Sequence, residues 1–441
     1  MFLKKIHIHN YKLFKDVEIN LEKSDISDVF SVASVNGGGK STLLQFIFIM
    51  LHCPLYKEFD KYIENLLNET IFFEEKIINL VDFSISHQNK DYNLNFLIDT
   101  NNREIKDEDY GFEVIPLSRK FSLFIDTTMN DNLLEELSQN IFLISPNSQV
   151  FHFLNKDDKE KIAKPSIRRI RSLKRKITRE NQELLYSEIV TLLKNDLKNF
   201  ETYDLFSTKV LFDVFEKAFE SDINEKIETE IYGNNYDSLK EDLGNFLEDK
   251  TIIISPDRTE VFFKLKNKDF KFSYTDLSHG ELKKLGLFIW LKYFVPKDSI
   301  VLMDEIDIAL HPSWQYELVD DLEEWSAENT QFFLATHSPQ ILSSTYYKNL
   351  ILLDKKDNYS TVHQLDKPLD NNDVNSVIDL IMGTNHLPKK LDRWHMEYRS
   401  LVKEGKEESK EAKEIKKKIL EWESINSSFF RRIDFFKKMK K

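Results

Sequence analysis

SVASVNGGGKSTLLQFIFIML, residues 31–51, is the stretch on which the reading of this chain turns. A β-rich run breaks into three consecutive glycines, a lysine and two hydroxyl side chains, and then into a helix that is apolar almost all round. Only 10 glycines occur in 441 residues, so three in a row stand out. Strand, glycine loop and helix in this order make a phosphate-binding loop: backbone N–H groups and a helix N-terminus converge on an anion. Gly39-Lys40-Ser41 matches the important end of that pattern, while Ser34 stands where its first glycine is expected. The amides of Asn36, Gly37, Gly38, Gly39 and Lys40 are expected to cradle the β-phosphate. Lys40 would reach the β and γ oxygens, and Ser41, with Thr42 behind it, would hold magnesium at the helix start. ATP and Mg²⁺ are the cofactors this implies. A helix carrying Leu43, Leu44, Phe46, Ile47, Phe48, Ile49 and Leu51 is expected to be buried.

Composition narrows the classes. Lys plus Arg number 62 against 75 Asp plus Glu, a net charge of −13, so nucleic acid could be met only through a local patch. The one cysteine, Cys53, excludes an intramolecular disulfide and a Cys-rich zinc centre, and fits a cytoplasmic location. The opening residues MFLKKIHIHNYKLF lack the apolar core of a signal peptide, and no run is long and apolar enough to span a membrane.

Short strands (KKIHIHNY, VEINLE, DVFSVAS) lead into the loop, and alternating strands follow over 78–125. IFLISPNSQVFHFL, 141–154, reads as a buried strand with a turn. From 155 the chain turns helical and charged, β-structure returns at TIIISPD and TEVFFKLKNKDFKFSY, and apolar strands then alternate with helices to about 355. Such alternation predicts an α/β core with a parallel, doubly wound sheet. The organisation expected is an N-terminal core half (1–154), a helical insert (155–248), a C-terminal core half (249–368) and a helical extension (369–441).

In SIVLMDEID, four apolar residues end in Asp304 and Glu305, where a buried strand would emerge at the carboxyl edge of the sheet. An aspartate there can join the magnesium shell, and the next glutamate can polarise a water. LSHGE, 277–281, lies 23 residues before Asp304, counted from Glu281. With the loop and acidic strand in place, the chain resembles the ABC ATPase superfamily, in its SMC, RecF and OLD-like branch, over roughly 1–150 and 250–355. That resemblance implies an ABC ATPase head with a mixed sheet around the phosphate loop, and a homodimer in which Ser278, Gly280 and Glu281 of one copy cap the γ-phosphate on the other. It departs from the family pattern at Ser34 and at His279. His337, in ATHSP, would contact the γ-phosphate and position water beside the catalytic Glu305. Asp307 and His311, in IDIALHPSWQ, become interface candidates. Gln149 is the candidate third magnesium ligand, with Gln88 as second choice, and Tyr11 and Phe14 are candidates for the adenine contact.

The insert contains KPSIRRIRSLKRKITRE, with eight Lys or Arg and no acid over 164–179. Its Ile167, Ile170, Leu173 and Ile177 share one stripe, so Arg168, Arg169, Arg171, Lys174 and Arg175 form a face for DNA or RNA, or a solvated helix paired with Glu180, Glu183 and Glu188. The insert is too short for SMC-type arms. Asp257, Glu260 and Lys264 mimic nuclease spacing but fall in a hairpin, and His386 and His395 lack the setting of an HNH site. The chain is therefore expected to have no nuclease of its own. An ATPase core with a helical tail resembles the ATPase subunits of anti-phage systems, Septu first and PARIS next, which act with a separately encoded nuclease or toxin. The competing expectations are a RecF or SMC-like DNA repair protein, and an assembly scaffold with slow turnover.

Overall fold

The computed structural model describes the chain except for residues 35–36, 55–59, 68–76, 100–112, 117–121, 155–178, 248, 256–260, 269, 357–358, 370–372, 385–386 and 441. Asn36, the basic segment from Lys164 to Thr178, Asp257, Glu260 and His386 lie outside the described residues.

The N-terminal strands are β1 (Phe2–Tyr11), β2 (Phe14–Asn20) and β3 (Val29–Ser34), followed by β4 (Ile77–His87), β5 (Lys90–Asp99), β6 (Glu113–Pro116), β7 (Ser122–Thr127) and β8 (Ile141–Ser145). After these come β9 (Phe200–Thr202), β10 (Lys250–Ile254), β11 (Val261–Leu265), β12 (Lys271–Ser273), β13 (Ile300–Asp304), β14 (Gln331–Ala335), β15 (Leu350–Lys356) and β16 (Tyr359–Gln364). Thirteen of them form one sheet in the order β6-β7-β5-β4-β1-β2-β16-β15-β3-β14-β13-β8-β9, and β10, β11 and β12 form a separate antiparallel sheet. Neighbours from β15 through β3, β14, β13 and β8 to β9 are parallel. Beyond β15 the ladder is antiparallel apart from the short β16–β2 contact. The parallel sheet predicted from alternation thus holds for one half, and the sheet as a whole is the mixed one that the resemblance implies. The other half is built from hairpins, which need no helical crossover.

The parallel strands are apolar without interruption because both of their faces are covered. Successive side chains point to opposite faces: Leu302, Phe333 and Ala335 join one apolar cluster with the loop helix Lys40–His52, whereas Val301, Met303, Phe332 and Leu334 join a second with the helix His279–Tyr293. Leu44, Phe46, Ile47 and Phe48 of the loop helix have no exposed surface, and each such side chain stabilises the fold by about 2 kcal/mol.

Within the stretch predicted as a helical insert, β9 pairs with β8 and extends the main sheet. The helix Tyr203–Thr229 buries Phe206, Val210, Leu211 and Val214 in the second cluster. The chain divides into two compact units, Met1–Asn372 and Asp373–Lys441. The second is helical among its described residues and closes on its own core, in which Leu391, Tyr398, Ile415, Ile419, Phe429 and Phe430 meet. No helix among the described residues is long and apolar enough to cross a membrane.

Candidate functional site

The loop turns through backbone geometry that favours glycine: Gly37 has φ +79° and Gly39 φ +96°. A Cβ on Gly39 would come within 2.9 Å of Phe14 Cζ, so glycine also permits the close approach of β2. Ser360 of β16 donates from its hydroxyl to the Gly38 carbonyl at 2.9 Å, fixing the loop from the other side. Gly39 is the N-cap of the helix that begins at Lys40. The first backbone N–H groups of that helix lack intrahelical acceptors and are aligned for an anion.

Lys40 is only 6% exposed, and its Nζ lies 3.3 Å from Ser34 Oγ and 2.7 Å from His337 Nε2. Burial pulls its ammonium below the ordinary lysine value, and Asp304, Asp307 and Glu305 partly oppose this. Burial, then the Lys40 charge, also lowers the His337 imidazole. The pair therefore reads as an ammonium donating to a neutral imidazole. Ser34, a departure from the usual loop, is put to use as an acceptor for that lysine.

Ser41 donates from Oγ to Asp304 Oδ1 at 3.0 Å, joining the loop helix to the end of β13. Asp304 is 1% exposed, and its pKa is raised to about 7, chiefly by burial. Its other oxygen, Oδ2, is buried without a hydrogen-bond partner among the described residues, as are Ser145 Oγ at the end of β8 and Tyr203 Oη. A buried carboxylate oxygen with no donor is costly unless a cation or water completes it. Hard oxygen donors, Ser41 and Asp304, beside a phosphate loop are what Mg²⁺ takes. Gln149, in the short helix Asn147–Phe153, accepts from Gln45 Nε2 at 3.4 Å, which sets it against the helix that carries Ser41. Gln88 shares a cavity with Asp298 and Asn329, which precede β13 and β14, and so lies at the opposite edge of the sheet from Asp304. It is removed as a magnesium candidate.

Glu305 begins the loop after β13 in left-handed backbone, φ +52°, and its N–H donates to the Ala335 carbonyl at 2.8 Å. Ala309 further along has φ +66°. This loop is held from behind by Lys283, whose Nζ donates to the Ile306 and Ile308 carbonyls, both at 2.7 Å, and stands 4.0 Å from the Tyr203 ring centre. Burial lowers Lys283 to about 7, with Asp307 opposing. Neither Lys283 nor Tyr203 was singled out in the sequence. The available signal was a lysine on the inward stripe of a helix, three residues after Gly280 and four before Leu287.

Ser278 caps the helix His279–Tyr293 in a capping box: its hydroxyl accepts from the Glu281 N–H at 3.2 Å, and the Glu281 carboxylate accepts from the Ser278 N–H at 3.0 Å. Glu281 also pairs with Lys250 at 2.8 Å, so its carboxylate serves the cap and β10. A Cβ on Gly280 would fall 2.9 Å from both the Ala309 carbonyl oxygen and Trp314 Cζ3. Ser278 and His279 remain exposed. Among the described residues, no hydrogen bond links this signature to the phosphate loop of the same chain.

Asp307 accepts from Thr336 Oγ1 at 2.6 Å, while His311 caps the helix Pro312–Trp325 and lies 2.7 Å from Ser313 Oγ. Thr42 is half-buried on the first turn of the loop helix. Tyr11 and Phe14, the adenine candidates, have no exposed surface; Tyr11 stacks on Phe46 at 4.1 Å and Phe14 walls Gly39, so neither offers a face to a base. Lys264 is a ladder residue of β11, and His395 pairs with Glu423 at 2.7 Å in the second unit.

Residues 35–343 match the profile of AAA_21, described as "AAA domain, putative AbiEii toxin, Type IV TA system". The chain is similar to the "Retron Vc95 probable ATPase" of Vibrio cholerae serotype O1 biovar El Tor, 35% identical over 124 residues, 27% of this chain and 24% of the relative. It is also similar to the "Septu protein PtuA" of Bacillus thuringiensis, 29% identical over 111 residues, 23% of this chain and 26% of the relative. It thus spans about a quarter of the length of these two curated relatives. Among solved structures, the SMC head domain from Thermotoga maritima aligns with 83% of this chain and 100% of its own, at 12% identity and a TM-score of 0.42.

Proposed function

The chain belongs to the AAA_21 family of AAA-domain proteins, and from that premise we propose that it hydrolyses ATP within a dimer and uses the cycle to control a separately encoded effector in anti-phage defence. The observation that carries the nucleotide reading is Asp304, buried at the carboxyl edge of the sheet, bonded to Ser41 and left with one oxygen for a cation. In this reading Ser41, Asp304 and Gln149 hold Mg²⁺, which neutralises phosphate charge when bound. The amides of residues 36–40 cradle the β-phosphate. On binding, the Lys40 ammonium exchanges His337 for phosphate oxygens, and the released imidazole contacts the γ-phosphate. Glu305 accepts a proton from the attacking water.

Two features support a dimer: the exposed N-terminus of the Ser278 helix, unengaged by its own loop, and Ile308, 51% exposed beside Glu305. In the dimer Ser278 and Gly280 of one copy meet the γ-phosphate on the other, with Asp307 lining the contact. The similarity to a Septu protein supports the effector part. The basic segment 164–179 is assigned to DNA or RNA contact, which requires binding that weakens steeply with salt.

The test uses Glu305→Gln and complementation. Glu305→Gln should accumulate as an ATP-bound dimer by light scattering, and Lys40→Ala should bind no nucleotide. Ser278→Arg and Lys40→Ala chains, each inactive alone, should regain partial turnover when mixed. Parental hydrolysis by Glu305→Gln sinks the catalytic assignment, and full activity of a strict monomer sinks the shared site.

A further inference from the structure

A second set of ligating side chains converges on the polar face of the antiparallel half of the sheet, away from any role assigned above. His7 and His9 lie two apart on β1 and so share a face, while Ile6 and Ile8 point the other way and are fully buried. Asp82 of β4 is directly opposite His7 in the β1–β4 ladder. Asp16 of β2 falls beside His9, between the Ile8–Val17 and Asn10–Lys15 pairs. The bonds run diagonally rather than straight across: His7 Nε2 lies 2.8 Å from Asp16 Oδ1, and His9 Nε2 lies 2.7 Å from Asp82 Oδ2. The two imidazoles sit with ring centres 3.9 Å apart. One ligating atom each of His7, His9 and Asp82 falls within 4.8 Å of the other two. The side chains of His7, His9 and Asp82 are 24%, 26% and 32% exposed, confined by the sheet yet open to an ion.

We propose that His7, His9 and Asp82, completed by Asp16, form a binding site for a divalent cation of the zinc class. Zinc takes imidazole nitrogen and carboxylate oxygen in a tetrahedron at about 2.0–2.2 Å, which sets ligand atoms roughly 3.3 Å apart. One ligating atom each of His7, His9 and Asp82 already lies within 4.8 Å of the others, so small side-chain shifts close them to that value, while Asp16 reaches the set through His7 at 2.8 Å. Two imidazoles disfavour magnesium and calcium, which take oxygen donors. Two imidazoles in the Nδ1–H tautomer and two carboxylates balance the ion's charge: the ion takes the Nε2 positions that now face the carboxylates, and the ring proton resides on Nδ1. Bound there, it would tie β2, β1 and β4 together at the hairpin whose Phe14 walls Gly39.

The test uses the full chain, stripped with EDTA, free of nucleotide and titrated with Zn²⁺ and with Co²⁺. The expected result is one equivalent per chain, visible Co²⁺ absorption of tetrahedral strength, and a melting temperature raised by several degrees by Zn²⁺. His7→Gln/His9→Gln should weaken binding by about a hundredfold or more and abolish the absorption. Asp304→Asn, which removes the magnesium candidate, should leave both unchanged. Far-UV circular dichroism checks that the double variant folds, and Asp82→Asn serves if it does not. The proposal is overturned if no equivalent is taken up, if binding survives loss of the histidines, or if it depends on Asp304 instead.

Discussion

Asp304→Asn separates the charge of the buried aspartate from its geometry. Asn keeps an oxygen to accept from the Ser41 hydroxyl, now at 3.0 Å from Asp304 Oδ1. What disappears is a titration: burial raises Asp304 from 3.8 to about 7. The folded chain thus holds this proton more tightly than the unfolded chain. The resulting stability is fully present below 3.8 and is lost as pH rises to about 7, after which nothing more is lost. Asn does not titrate, so its advantage over the parent grows through that window. Between about pH 5.5 and pH 8 the growth should be about 2 kcal/mol. The amide that replaces the unpartnered Oδ2 carries its own cost, but that cost is the same at both pH values and cancels in the comparison. Urea unfolding of the nucleotide-free chain in EDTA measures it, as a relative midpoint shift of roughly half a molar or more. Saturating Mg²⁺ and ATP should stabilise the parent at pH 8 more than the variant, which keeps the phosphate loop and lacks the carboxylate for the cation. A parent–variant difference that is flat with pH, or that shrinks as pH rises, refutes the reasoning.

Other perturbations probe the supports. Lys283→Met frees the Ile306 and Ile308 carbonyls and should cut turnover by about ten- to a hundredfold while nucleotide affinity changes little, since the lysine positions the Glu305 loop and touches no ligand; equal losses in both would refute this. Phe14→Ala removes a fully buried ring that walls the phosphate loop and should destabilise by about 3–5 kcal/mol in chemical denaturation. Gly280→Val drives a side chain into the Ala309 carbonyl and Trp314, and should cost about 1–3 kcal/mol as well as turnover; an unchanged unfolding midpoint would mean that this helix does not bear on the loop as described.

Local chemistry made much of the molecule legible in the sequence. A glycine triplet between an apolar strand and an apolar helix has few other uses, and Gly37 and Gly39 do adopt the left-handed turns that the pattern needs. Ser278 and Glu281 met as the capping box their spacing allows. Asp304 and Glu305 fall where an apolar run of four ends. Such features are decided within a few residues, by side-chain period, backbone freedom and helix-end hydrogen bonding.

Long-range packing decided the rest. Strand direction depends on which partner each strand meets, some next along the chain and some, such as β3 and β14, hundreds of residues away, so the mixed sheet was not visible in alternation alone. Tyr11 and Phe14 look like free aromatics in the sequence, but the fold spends both on walling the phosphate-loop helix. Gln88 and Gln149 are equivalent as residues, yet the sheet puts them at opposite edges. Lys283 reads as one more lysine until α/β packing buries it beneath two carbonyls. His7 and His9 become a possible ligand set only because β2 and β4 bring Asp16 and Asp82 to either side. The sequence alone determined which groups could handle a phosphate; the tertiary structure determined which of them share a charge, because Coulomb and hydrogen-bond energies act over ångströms in space and ignore distance along the chain.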